Sequence, residues 1–151
     1  MYRFLGLSSF LGRMNCIIGQ QPDMFRAVVA RNPVVHTPSM SDTSDIPDWV
    51  SNETGANYVP ASFVQPDLLE KMYQSSPAAH AAKIKAPIYF MVGSKDLRVP
   101  PQQGIGMYRT LKAAGKDVRM NVYEDCHPLA KVPVHTDVMI NLAVFFSQNR
   151  V

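Results

Sequence analysis

The sequence has little charge, little cysteine and no long apolar run. Charged residues make up 18% of the 151, below the usual quarter. The lysines and arginines behind the net charge of +3 are scattered singly, and even Lys83-Ile84-Lys85 is interrupted. A phosphate footprint needs cations clustered on one surface, so no nucleic-acid partner is expected. Cys16 and Cys126 make a weak case for a disulfide, and no CxxC or His/Cys spacing suggests zinc. Free thiols in a reducing compartment are expected instead. No apolar stretch approaches the ~18 to 20 residues of a membrane span, so no membrane partner is expected. Internal repeats and low-complexity tracts are missing as well.

What remains is a hydrophobic content of 46% and 12 prolines, which suits one ordinary globular domain with a buried sheet and well-punctuated loops. Residues 1–22 contain Arg3, Arg13 and two serines but nothing acidic, a composition compatible with a mitochondrial presequence. Phe4, Leu7, Leu11, Met14 and Ile18 also fall at helical spacing, and we read them as the core-facing stripe of a helix closed by Gly19 and Pro22.

Phe25 to Arg31 is a β-rich run ended by Asn32-Pro33 and reads as a parallel strand. Residues 35–66, rich in Ser, Thr, Asp, Asn and Pro, read as a long excursion with short helices, of the kind that serves as a lid or binding segment. Leu68 to Tyr73 suggests a helix, and Ser76-Pro77 starts another. Ala86 to Val92 is a fully apolar run ended by Gly93, a buried strand. An amphipathic helix over Pro101 to Ala114, a strand over Val118 to Tyr123 and a closing helix over Thr136 to Asn149 complete a doubly wound α/β pattern.

Gly93-Ser94-Lys95-Asp96 follows the buried strand, and Asp125-Cys126-His127 follows the next one. Both loops leave the carboxyl edge of the sheet, where catalytic groups converge in open α/β folds. Asp96 and His127 are therefore candidates for the acid and base of a serine-hydrolase triad. The plainer readings are an Asx-turn carboxylate for Asp96 and a surface histidine for His127. His36, His80 and His135 have no carboxylate or cysteine at ligand spacing.

A family resemblance then enters on particular residues. They are Ile18-Gly19-Gln20, Val29-Ala30-Arg31-Asn32-Pro33-Val34, Asp45-Ile46-Pro47-Asp48-Trp49, Ser76-Pro77, Gly93 with Asp96 and Arg98-Val99-Pro100, Tyr108-Arg109 and His127. Together they resemble the carboxyl-terminal half of an α/β-hydrolase, and more closely the acylaminoacyl peptidases of the prolyl oligopeptidase family. The resemblance runs from about Gly19 to Phe146. It implies a mostly parallel sheet flanked by helices, with residues 1–151 forming part of a catalytic domain and no β-propeller in this chain. It also implies a cytoplasmic serine peptidase without cofactor or metal that acts on N-acylated peptides. A homo-oligomer, or pairing through an exposed sheet edge, is a further expectation.

By the same resemblance Asp96 orients the base, His127 moves the proton, and the nucleophile sits in a Gly-x-Ser-x-Gly elbow. Counting back without gaps from Ile18-Gly19-Gln20 lands on Gly6-Leu7-Ser8-Ser9-Phe10, which places Ser8 in that role. Leu7, Ser9 and Phe10 depart from the family pattern, and a helix-start serine is the plain alternative. Pro128 replaces the small residue expected after the histidine. The family's second oxyanion donor belongs to earlier strands, and losing one such donor costs roughly 10²- to 10³-fold in rate. The rival expectation is a catalytically silent fragment that acts through partner binding.

Overall fold

Four short strands build a parallel sheet in the computed structural model, which describes residues 4–7, 18–55, 57–60 and 63–149. The strands β1 (Phe4–Leu7), β2 (Ala27–Arg31), β3 (Ile88–Gly93) and β4 (Val118–Tyr123) lie in the order β1-β2-β3-β4, and each adjacent pair is parallel. All six residues of β3 are buried, as its unbroken apolar run requires of a strand covered on both faces. In β4, by contrast, buried and exposed residues mix along an outer strand.

The helical stripe read over residues 4–18 is corrected here. Phe4 to Leu7 are β-strand, paired from Phe4↔Ala27 to Leu7↔Ala30. Four residues are too few to separate a period of 2 from one of 3.6, and the ladder to β2 satisfies backbone groups that one helical turn leaves open. Ile18 is helical and buried, while Leu11 and Met14 lie outside the described residues.

Sequential parallel strands need a crossover each, and right-handed crossovers in this order put every connecting element on one face. The packing agrees. Ile18, Ala81 and Ile84 pack with Met107 and Leu111 against Val28, Ala30, Ile88, Phe90 and Val92 on one face. Here α4 (Gln102–Ala113) makes the β3-to-β4 crossover. The opposite face, Ala27, Val29, Tyr89 and Met91, is covered by Val138 and Phe145 of α5 (Val132–Gln148). Among the described residues, no helix is long and apolar enough to cross a membrane.

The excursion between β2 and β3 folds into α1 (Thr37–Thr43), α2 (Pro47–Glu53), α3 (Pro66–Gln74) and a 3-10 helix, Pro77–Lys83. Each has proline in its first two positions, where the missing N–H is one that a helix start leaves unbonded anyway. Met40, Val50 and Met72 meet Val34 and Val99 in a small core of their own. Each such side chain contributes roughly 1.5–3 kcal/mol through burial. The resulting cap is tied to the loop after β3. Asp45 N–H donates to the Leu97 carbonyl at 3.1 Å, Ser44 Oγ donates to the Arg98 carbonyl at 2.7 Å, and Arg98 pairs with Asp45 at 3.3 Å.

Candidate acid-base site at the carboxyl edge of the sheet

Asp96 is held by the way its loop leaves β3. Ser94 N–H donates to the Tyr123 carbonyl at 2.8 Å and Lys95 N–H to the Asp125 carbonyl at 3.0 Å, which zips this loop to the one after β4. The zip requires glycine at 93: a Cβ there would lie 2.7 Å from the Asp125 oxygen and 2.9 Å from that of Cys126. The Asp96 carboxylate is fully buried. Its Oδ1 accepts the N–H groups of Arg98 and Val99, both at 2.9 Å, and its Oδ2 faces His127 Nδ1 at 2.8 Å. A carboxylate only accepts, so the ring proton of this contact sits on Nδ1. The base form of the imidazole then carries its lone pair on Nε2.

His127 stands in a loop that its neighbours shape. The Asp125 carboxylate accepts the N–H of Cys126 at 2.8 Å and of Lys131 at 3.0 Å, closing the loop's two ends on each other. The Lys131 N–H, followed by that of Cys126, holds this carboxyl below its ordinary range against the opposing effect of burial. Leu129 N–H donates to the Cys126 carbonyl at 3.1 Å, which puts His127 and Pro128 at the centre of a tight turn. Leu129 has φ of 49°, a strained conformation for a bulky residue, and is held there by complete burial against the sheet. Pro128 does not prevent His127 from reaching Asp96. The imidazole side chain is 26% exposed, so one side of it faces outward.

Beside the ring lies a cavity of about 200 Å³ lined by Val34, Met40, Ile46, Trp49, Arg98, Val99 and His127. Cap and sheet edge form it together, so the excursion lines the space next to His127. Trp49, from the Asp45-Ile46-Pro47-Asp48-Trp49 segment of the excursion, is one of the cavity's walls. Met40 and Val34, 0% and 2% exposed, carry no sequence signal beyond being apolar. Arg98 pairs with Asp45 of the excursion, at 3.3 and 3.4 Å. His36 instead caps α1, accepting the Ser39 N–H at 3.3 Å, and burial lowers its pKa. Cys126 is an exposed free thiol. Among the described residues no three His, Cys, Asp or Glu side chains converge as a metal site requires.

The structure thus brings Asp96 and His127 together. Ser8 lies outside the described residues; in sequence it directly follows β1, whose carboxyl end at Leu7 belongs to the same sheet edge.

The parallel sheet with helices on both faces, and acid and base loops on its carboxyl edge, defines the carboxyl-terminal part of an α/β-hydrolase fold. A profile of the prolyl oligopeptidase family matches residues 13–148. The chain belongs to that family. It is 38% identical over 136 residues to the acylamino-acid-releasing enzyme of Mus musculus, a match that covers 89% of this chain and 19% of that protein. The chain therefore spans about a fifth of the length of the curated relatives it matches. Among solved structures, the acylaminoacyl peptidase of Pyrococcus horikoshii superposes with a TM-score of 0.67 at 24% identity, covering 82% of this chain and 20% of that one. A puromycin-hydrolyzing peptidase of Mycobacterium tuberculosis superposes with a TM-score of 0.77 at 20% identity, covering 97% and 22%. Both share its fold.

Proposed function

We propose that this chain supplies the reacting groups of a serine peptidase that releases N-acylated amino acids from blocked peptides, with residues 1–151 as the carboxyl-terminal part of its catalytic domain. The observation that carries the reading is the buried Asp96 carboxylate 2.8 Å from His127 Nδ1, beside an apolar cavity on the sheet edge where β1 ends. The curated relatives named for this release support the substrate class. In this reading Ser8 Oγ attacks the carbonyl carbon of the scissile bond while His127 Nε2 takes its proton, and Asp96 steadies the imidazolium that forms. The proton passes to the leaving amine, and water hydrolyses the acyl-enzyme with the same pair acting again. The cavity receives the apolar side chain of the acylated residue. A cytoplasmic location follows from the same family reading.

A second reading has one observation of its own. Met139, Ile140 and Val144 of α5 are 47%, 57% and 45% exposed, which fits a catalytically silent chain that works by contact with a partner. Sheet-edge pairing of two copies belongs to that reading, and light scattering of the purified chain measures it.

Hydrolysis of acetyl-alanine anilide separates the two. The peptidase reading expects acetyl-alanine and aniline as products, with a loss of at least about 10³-fold in His127→Ala. Folded protein with no turnover, or turnover indifferent to His127→Ala, overturns it. A short-chain ester run in parallel distinguishes peptidase from esterase preference.

A further inference from the structure

His127 belongs to the loop after β4, three strands from β1. Neighbouring strands are ~4.8 Å apart, so a loop rising straight from β4 sits ~14 Å from the end of β1. The base loop does not rise straight, because the tip of β2 holds it. Asn32 Nδ2 donates to the His127 carbonyl at 2.7 Å, and Arg31 Nη2 donates to the next carbonyl, that of Pro128, also at 2.7 Å. Two consecutive side chains at the end of β2 thus grip two consecutive carbonyls of the base loop. They tie it across the end of β3 to the tip of β2, the strand that neighbours β1.

Asn32 does more than grip. Its Oδ1 accepts the N–H of Gly93, where the acid loop leaves β3, at 2.7 Å, and its own N–H donates to the Met91 carbonyl at 2.9 Å. A single amide, 2% exposed, therefore bonds the start of the acid loop on one side and the backbone carbonyl of His127 on the other. Its φ of 43° lies in the left-handed region that asparagine tolerates better than most residues. A buried polar side chain in an unfavourable backbone conformation, with both ends of its amide committed to the two loops, is strain kept at a site that uses it.

We propose that Asn32, assisted by Arg31, is the positioning residue of the Asp96–His127 pair, setting the distance between acid and base loops and carrying the base toward β1. The inference rests on the acid-base reading above, but its test does not depend on Ser8 or on turnover. Asn32→Gly suits the backbone conformation and removes both side-chain bonds. Asn32→Asp keeps the acceptor for Gly93 N–H and removes the donor toward His127. The readout is the Nδ1–H resonance of ¹⁵N-labelled His127, whose exchange with water reports the hydrogen bond to Asp96, taken alongside the melting curve. Both variants are expected to remain folded and to exchange this proton at least tenfold faster than the wild type. A folded variant of either kind with wild-type exchange overturns the proposal; should Asn32→Gly not fold, Asn32→Asp decides alone.

In an active preparation, each variant is expected to lower kcat roughly 10- to 100-fold with KM unchanged, the scale of a small misplacement of a reacting group. The loss should disappear in an Asp96→Asn background, since a residue acting through the pair has no separate effect once the pair is broken. A loss of equal size in that background identifies a purely structural role and overturns the proposal. Faster exchange in a chain that never hydrolyses the anilide refutes the peptidase reading and leaves this inference standing.

Discussion

Replacing Asp96 by asparagine tests the site through the hydrogen bonds the structure assigns to it. The new amide meets the N–H groups of Arg98 and Val99, both 2.9 Å from Oδ1, and a single ring nitrogen, His127 Nδ1, on the other side. The two backbone donors demand an oxygen, so the amide NH₂ turns toward His127. Reversing the amide strands the buried Val99 donor at ~1–3 kcal/mol and the half-buried Arg98 donor besides, whereas the one bond it recovers is worth only ~0.5–1.5 kcal/mol. The asparagine is thereby fixed in the wrong sense: Nδ1 becomes the acceptor, the ring proton moves to Nε2, and that nitrogen has no lone pair left to take a proton. Such a tautomer error lowers kcat by about 10⁴ in the measured serine-peptidase case. At ~1.36 kcal/mol per tenfold, that is ~5.4 kcal/mol of transition-state stabilisation. The assay is steady-state hydrolysis of acetyl-alanine anilide, with melting curves to show that the variant is folded and KM expected to stay near the wild-type value. Folded Asp96→Asn with kcat within tenfold of wild type would refute the role given to this carboxylate.

Other expectations concern the frame around the pair. Gly93→Ala pushes a methyl group against the Asp125 and Cys126 carbonyls, at 2.7 and 2.9 Å, and should cost ~1–3 kcal/mol of stability by chemical denaturation; an unchanged midpoint contradicts the close approach. Met40→Ala, at a fully buried position lining the cavity, should cost ~2–5 kcal/mol and shift preference toward bulkier acylated residues, which competition between acetyl-alanine and acetyl-phenylalanine anilides measures. The Asp125 carboxyl titrates lower in the folded chain than in the unfolded one, so its contribution to stability is complete above the ordinary carboxylate range and is lost as the pH falls through its depressed folded value. Denaturation midpoints between neutral and strongly acidic pH should therefore fall less steeply in Asp125→Asn, and parallel curves for the two proteins count against this loop assignment.

Much of this architecture is legible in sequence, for a physical reason. Ile88 to Val92 is an unbroken apolar run between Pro87 and Gly93, and a parallel strand buried on both faces has no other signature. Once β3 and β4 are placed, the loops bearing Asp96 and His127 must share an edge, because parallel strands end on the same side. The four residues of β1 fit helix and strand periods equally well, and only the ladder to β2 decides between them. The cap is only partly foreseeable: its short helices, and the one over Leu68 to Tyr73, are expected, but their packing depends on Met40, Val50 and Met72 meeting across a wide separation in the chain. Asn32 shows the limit most clearly. Beside Pro33 it reads as the end of a strand, and its bonds to Gly93 and His127 join residues 61 and 95 positions away. No local pattern carries that information. The cavity beside His127 is unreadable for the same reason, being walled by the cap on one side and the sheet edge on the other.

Labelling with a fluorophosphonate, followed by peptide mapping, bears most directly on the central claim that Asp96 and His127 serve a serine at position 8. The account predicts a covalent adduct on Ser8 in folded protein, formed far more slowly in Asp96→Asn and His127→Ala. A demonstrably folded sample that takes no label on Ser8, or takes it at an undiminished rate without His127, contradicts it.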